Sequence, residues 1–150
     1  MALLVRRLKV TDLPALDGIE TAQAARISNP AWLLGSRKLM ERTLSEEPEG
    51  LLIADQDGEV VGWAAARQRG THPISGLRYG HIFNISVHPK HAKKGIGSRL
   101  LRECEAYLRS RGCESIKVSM PADENAAAQM FKRGGYKLLA WELERTFKSS

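Results

Sequence analysis

One stretch constrains this chain more than any other: an apparent strand that feeds a basic, glycine-bearing turn, then a helix, then a second strand. Tyr79 to Val87 reads as the first strand. Ile96, Leu100, Cys104, Tyr107 and Leu108 recur at helical spacing with charges between them, and Gly112 closes that helix. Ile116 to Met120 reads as the second strand. A strand, a crossover helix and a strand in one sheet make a right-handed βαβ unit, so part of the sheet is predicted to be parallel.

The entry to this helix, Val87-His88-Pro89-Lys90-His91-Ala92-Lys93-Lys94-Gly95-Ile96-Gly97, contains no Ser, Thr, Asp or Asn before Gly95. Five Lys/Arg residues and no acid lie between Lys90 and Arg102. A helix N-terminus already exposes unpaired N–H groups and partial positive charge, so adding lysines there is adverse unless an anion is bound. Gly97 inside the first turn costs about 1 kcal/mol relative to Ala. Close approach of a ligand to the backbone supplies a reason for it. The stretch therefore predicts a phosphate site, against the plainer reading of a glycine turn entering a surface helix. It is neither the dinucleotide G-x-G-x-x-G, because Leu100 stands at the third glycine, nor a P-loop.

At 150 residues the chain is expected to form a single domain, 1–150. Its 43% hydrophobic content suffices for a core, and its apolar runs are too short to span a membrane. The N-terminus runs from apolar to basic, the reverse of a secretory signal, so a cytoplasmic location is expected. Cys104 and Cys113 form no C-x-x-C, and with the four histidines they make no zinc-like set, so no metal is expected. Cys104 lies on the apolar stripe of its helix and reads as a buried small hydrophobe. The net charge of +6 arises in the second half, where residues 76–150 hold fourteen Lys/Arg against seven Asp/Glu. That distribution points to an anionic ligand.

Elsewhere, Leu3 to Val10 reads as a strand, and Thr11-Asp12-Leu13-Pro14 starts a helix that runs to about Ser28. Asn29-Pro30 breaks it, and Ser36 is placed as the cap of a second helix through Leu44. Asp57-Gly58 between two apolar runs predicts a hairpin. Residues 68–77 read as a loop, Asp123-Glu124-Asn125 as a helix start, and Tyr136 to Phe147 as two final strands. On this reading only the helix after Val87 lacks a capping residue.

Two segments together resemble a known family. Asn84-Ile85-Ser86-Val87-His88-Pro89 followed by Gly95-Ile96-Gly97-Ser98-Arg99-Leu100-Leu101 is similar to the acyl-CoA-binding motif of the GCN5-related N-acetyltransferases (GNAT). Asn125 with Ala128, then Met130-Phe131-Lys132-Arg133-Gly134-Gly135-Tyr136, is similar to that family's later segment. The element order matches as well. The resemblance implies an α/β fold: a GNAT-like single domain with a mixed, mostly antiparallel sheet of six to seven strands, about four helices and the βαβ crossover. It implies acetyl-CoA as cosubstrate, held between the strands at 79–87 and 115–120. The backbone of Ile85, Ser86 and Val87 would pair with pantetheine and the acetyl carbonyl. The N–H groups of Lys93, Lys94, Gly95, Ile96, Gly97 and Ser98 would hold the pyrophosphate. Asn125 and Phe131 would line the cofactor arm. The implied reaction is direct acetyl transfer to a primary amine, of a small molecule or a protein N-terminus.

Three positions depart from the family pattern. Ala92 stands where Arg or Gln is usual. Phe131 stands where a Tyr protonates the departing thiolate; water or Tyr136 is left for that task, although Tyr136 reads more plainly as a core aromatic. Ser119 stands where N-terminal protein acetyltransferases carry a Glu base, which leaves His81 as the best candidate general base. Glu124 and Asp123 fit helix capping better, and His88 and His91 belong with the phosphate loop or solvent. A catalytically weak or inactive acyl-CoA-binding or regulatory module is the alternative. A nucleic-acid partner is disfavoured by the low aromatic content of 6%. A homodimer is left open. The acceptor is unreadable, although the resemblance places it near 26–35, with Trp32, and 140–144, with Trp141.

Overall fold

The computed structural model describes residues 2–120 and 124–148. The chain divides into two compact units, Met1–Ser119 and Met120–Ser150.

The first unit is a five-stranded sheet in the order β1-β2-β3-β4-β5. Its strands are β1 (Leu3–Arg7), β2 (Leu51–Gln56), β3 (Glu59–Thr71), β4 (Arg78–Val87) and β5 (Ser115–Val118). The first three pairings are antiparallel and β4–β5 is parallel, as the βαβ reading requires. At the β2–β3 turn Asp57 and Gly58 both take positive φ, +53° and +90°. That geometry suits the tight hairpin expected of Asp-Gly.

Helices α1 (Leu13–Arg26) and α2 (Ala31–Glu46) cover one face of the sheet, and α3 (Ile96–Ser110) the other. The α1/α2 face buries Leu16, Ile19 and Met40 against Leu51, Ile53, Trp63 and Ala65, with Phe83 packed at the margin. On the α3 face, Ile96, Leu100, Leu101, Cys104 and Leu108 are buried at the spacing read from the sequence. Cys104 is fully buried, and burial pushes its thiol up to about 12, so it behaves as a core hydrophobe.

In the second unit, α4 (Asn125–Arg133) ends at Gly134, and Gly135 takes φ +91°. Phe131 meets Tyr136 edge to face at 5.2 Å between ring centroids, and the Tyr136 amide donates to the Phe131 carbonyl.

Four expectations are corrected. The sheet has five strands among the described residues rather than six to seven. The missing pair is 136–147, which forms no ladder although Leu139, Trp141 and Leu143 recur at every second position, with Phe147 four residues on. Those four side chains are exposed, and alternation supplies strand propensity but not a partner to pair with. Second, α2 starts at Ala31 rather than Ser36: Asn29 Oδ1 accepts the Ala31 amide, while Ser36 points inward. Third, the contrast in capping disappears. Among the described residues, none of the four α-helices has a side-chain hydrogen bond from its N-cap residue. Asp12, expected to cap α1, is instead held by Arg6 at 2.8 and 2.9 Å and accepts the Lys9 amide. The Asp123 part of the α4 cap lies outside the described residues. β3 also runs on to Thr71, shortening the predicted 68–77 loop to six residues between strands.

Candidate active site

β4 outruns its parallel neighbour. Tyr79–Ile82 pair with Ser115–Val118, and the five residues Phe83–Val87 continue beyond, paired only to β3 among the described residues. A bulge falls where the strands part: Ala65 pairs with Asn84 and Ala66 with Ile82, leaving Phe83 as the extra residue. A bulge bends its strand and re-aims the side chain there. The predicted cofactor residues Ile85, Ser86 and Val87 lie on this overhang. Ser86 is buried and its hydroxyl donates to Asn84 Oδ1 at 3.1 Å, while Asn84 Nδ2 is buried without a partner. The Val87 carbonyl accepts Gln23 Nε2 from α1 at 3.4 Å.

β4 leads into a 3-10 turn at Pro89–His91, capped by His88 Nδ1, which accepts the Lys90 amide at 3.1 Å. His91 Nε2 lies 3.7 Å from Glu59. Both histidines thus belong to the loop, as expected. The chain then takes left-handed conformations at Lys93 (φ +63°) and Gly95 (φ +78°) before α3 begins. Only glycine adopts that region without cost, so Gly95 is set by the turn itself. The first backbone donor with a helical acceptor is Arg99, to Gly95. The amides of Ile96, Gly97 and Ser98 have no acceptor among the described residues. Lys93 and Lys94 stand exposed beside them. Free amides, local positive field and flanking lysines make an anion cradle built mainly of backbone. What marks this helix is therefore its basic left-handed entry, not its lack of a side-chain cap.

His81 lies on the α1/α2 face of β4. It is stacked on Phe83 at 4.0 Å, and burial, with Lys117 and Arg69 nearby, lowers its pKa to about 4. It is neutral at pH 7 and a weak base. Ser119 is exposed just past β5. Asn125, the first residue of α4, is exposed, and Phe131 is the buried residue of the same helix.

Sequence reasoning missed Glu20. It is 1% exposed, and all its partners are donors: Trp32 Nε1, Trp63 Nε1 and Ser36 Oγ, at 2.5, 2.5 and 3.0 Å. Glu20 follows Leu13 and Leu16 at inward helical spacing, a signal available in the sequence. Its bonds tie α1, α2 and β3 together and fix Trp32. Trp141, the other predicted acceptor-side tryptophan, is 81% exposed.

The model of the Acetyltransferase (GNAT) family matches residues 18–136. The chain belongs to this family. Among curated proteins it is 29% identical over 99 residues to Acetyltransferase SG1711 of Sodalis glossinidius (strain morsitans), a match that covers 66% of this chain and spans 65% of that relative's length. Among solved structures it resembles a ribosomal-protein-alanine N-acetyltransferase from Brucella melitensis biovar Abortus 2308, with TM-score 0.75 and 19% identity over 98% of this chain and all of that one. It also resembles the aminoglycoside N-acetyltransferase AAC(6')-Iy in complex with CoA, with TM-score 0.72 and 16% identity over 97% of this chain and 100% of the other. At these identities the structural likeness is one of fold. The family uses acetyl-CoA as cosubstrate, and no group of His, Cys, Asp and Glu among the described residues is placed to hold a metal ion. No helix among them is long and apolar enough to cross a membrane.

Proposed function

We propose that this protein transfers the acetyl group of acetyl-CoA directly to a primary amine, of a small molecule or a protein N-terminus. The observation that carries this reading is the pairing of a backbone anion cradle with a strand overhang, free of β5 on one edge, one turn before it. On it, the amides from Lys93 to Ser98 take the pyrophosphate, and Lys93 and Lys94 add charge at its rim. The backbone of Ile85, Ser86 and Val87 offers the edge along which pantetheine pairs. Asn125 and Phe131 are read as further cofactor contacts on the family pattern, in a single-domain cytoplasmic protein. The bound thioester supplies an activated acyl carbon and a thiolate leaving group.

The amine must attack unprotonated. An alkyl ammonium has a pKa near 10, about six units above His81, so His81 does not store the amine's proton. Neutral His81 instead takes the proton that the amine nitrogen releases once it has bonded to the acyl carbon, and passes it to solvent. The cations that depress His81 act on the amine in the same sense, favouring its neutral form. Phe131 has no proton for the leaving thiolate, and a thiol pKa near 8.5 makes that thiolate tolerable without a dedicated acid.

The same Phe131, packed against Tyr136, favours a second reading: an acyl-CoA-binding module with weak or no turnover. Free-thiol release over a panel of amines and N-terminal peptides, with calorimetry of acetyl-CoA binding, separates the two. Turnover with any acceptor supports transfer. Binding without turnover supports the module. No binding at millimolar cofactor overturns both.

A further inference from the structure

The α1/α2 face of the sheet carries a second cationic group that owes nothing to α3. A bulge in β3 leaves Arg69 as the extra residue between Gln68, paired with Gly80, and Gly70, paired with Tyr79. The bulge in β4 does the same for Phe83. The two re-aimed side chains meet: the Arg69 guanidinium carbon lies 5.8 Å from the Phe83 ring centroid, and that of Arg67 lies 5.5 Å from it. His81, opposite Arg67 in the β3–β4 register, stacks on the same ring, and Lys117 lies opposite His81 in the β4–β5 register. Side chains of paired residues share a face, so Arg67, Arg69, His81 and Lys117 converge.

Their charges are not balanced within the protein. Glu46, half exposed at the end of α2, bonds one terminal nitrogen of Arg67. Arg67 is only 7% exposed, yet its Nε has no acceptor. Arg69 and Lys117 have no ion-pair partner among the described residues. A buried guanidinium donor without an acceptor is rare in native structures and calls for one. Arginine over an aromatic ring presents its fork edge-on, the geometry that recognises carboxylates.

From this arrangement we infer that the acceptor is a primary amine bearing a carboxylate, held by Arg67 Nε, Arg69 and Lys117 beside the splay of β4 and β5. The inference rests on the acetyl-transfer reading, whose acceptor it specifies. It fits the chemistry of that reading: the cations repel an ammonium, so the amine binds neutral, and the carboxylate restores the attraction.

The test uses the full chain and acceptors paired to differ only in charge. A small-molecule arm compares glycine with glycinamide and β-alanine with its amide. A peptide arm compares peptides carrying Glu or Gln at the second residue. The acid is expected to exceed its amide in kcat/KM by at least about tenfold in one arm, which names the source of the carboxylate. Arg69→Gln and Lys117→Gln are each expected to shrink that ratio mainly through KM. A ratio at or below one in both arms overturns the inference and leaves acetyl transfer standing. A second readout needs no turnover: with CoA present, N-acetylglycine should move the Arg67 Nε–H resonance saturably, and N-acetylglycinamide should not. If that shift appears while no acceptor is turned over, acetyl transfer falls and the carboxylate site remains. If neither appears, both fall.

Discussion

Two cationic regions of this protein do opposite things with the chain. The entry to α3 is contiguous: Lys93 to Ser98 form it in six consecutive residues, mostly with backbone amides, and its lysines are exposed. The region around Phe83 draws on three strands, from Arg67 to Lys117, works with side chains, and buries its key donor. A backbone cradle recognises an anion by shape and partial charge, and its exposed lysines are screened by salt. A side-chain cluster in a half-buried site is screened less and discriminates more sharply, because an unpaired donor there is costly.

The comparison breaks most sharply at Glu20. Replacing it with Ala strands the Trp32, Trp63 and Ser36 donors, so unfolding by denaturant should show a loss of about 3 kcal/mol or more. Under folding conditions CoA affinity should be little changed, since the cradle is built elsewhere; a parallel collapse of CoA binding would mean that the α1/α2 packing supports the cradle. His81→Gln comes next, with kcat/KM expected to fall about a hundredfold and CoA binding unaltered. Because His81 titrates near 4 when folded against an ordinary 6.5, the unfolded chain binds more protons between those values. Stability of the parent should therefore rise with pH across that window, and His81→Gln should flatten the rise in acid-denaturation curves. An activity limb near pH 6.5 that vanishes in this variant would contradict the half-buried, neutral histidine.

The cradle is probed by Gly95→Val. A β-branched residue at φ +78° is strained, so calorimetry should show CoA binding weakened at least about tenfold. The smallest effect belongs to Lys93→Gln and Lys94→Gln, each expected to weaken CoA about two- to threefold at low ionic strength and hardly at all at high salt. A salt-independent loss would assign the lysines direct, desolvated contacts and blur the difference between the regions.

The basic, glycine-bearing turn between β4 and α3 was legible because the charges and glycines that mark it are local, whereas the left-handed conformation of Lys93 was not read. The hairpin at Asp57-Gly58 and the stripe from Ile96 to Leu108 were legible for the same reason. Ser36 misled because a serine near a helix start looks the same whether it caps or points inward to Glu20; the difference is made by α1 and β3, not by its neighbours in sequence. The segment 136–147 misled because alternation is local and pairing is not.

By itself, then, the sequence determined the βαβ crossover, the α3 stripe and the Asp57-Gly58 hairpin, since each follows from dihedral preference or periodicity within a few residues. Tertiary structure alone decided where the strands part, which residues bulge, and that Arg67, Arg69, His81 and Lys117 share one face. Register fixes those facts, and register is settled by packing between strands rather than by the residues of any one of them.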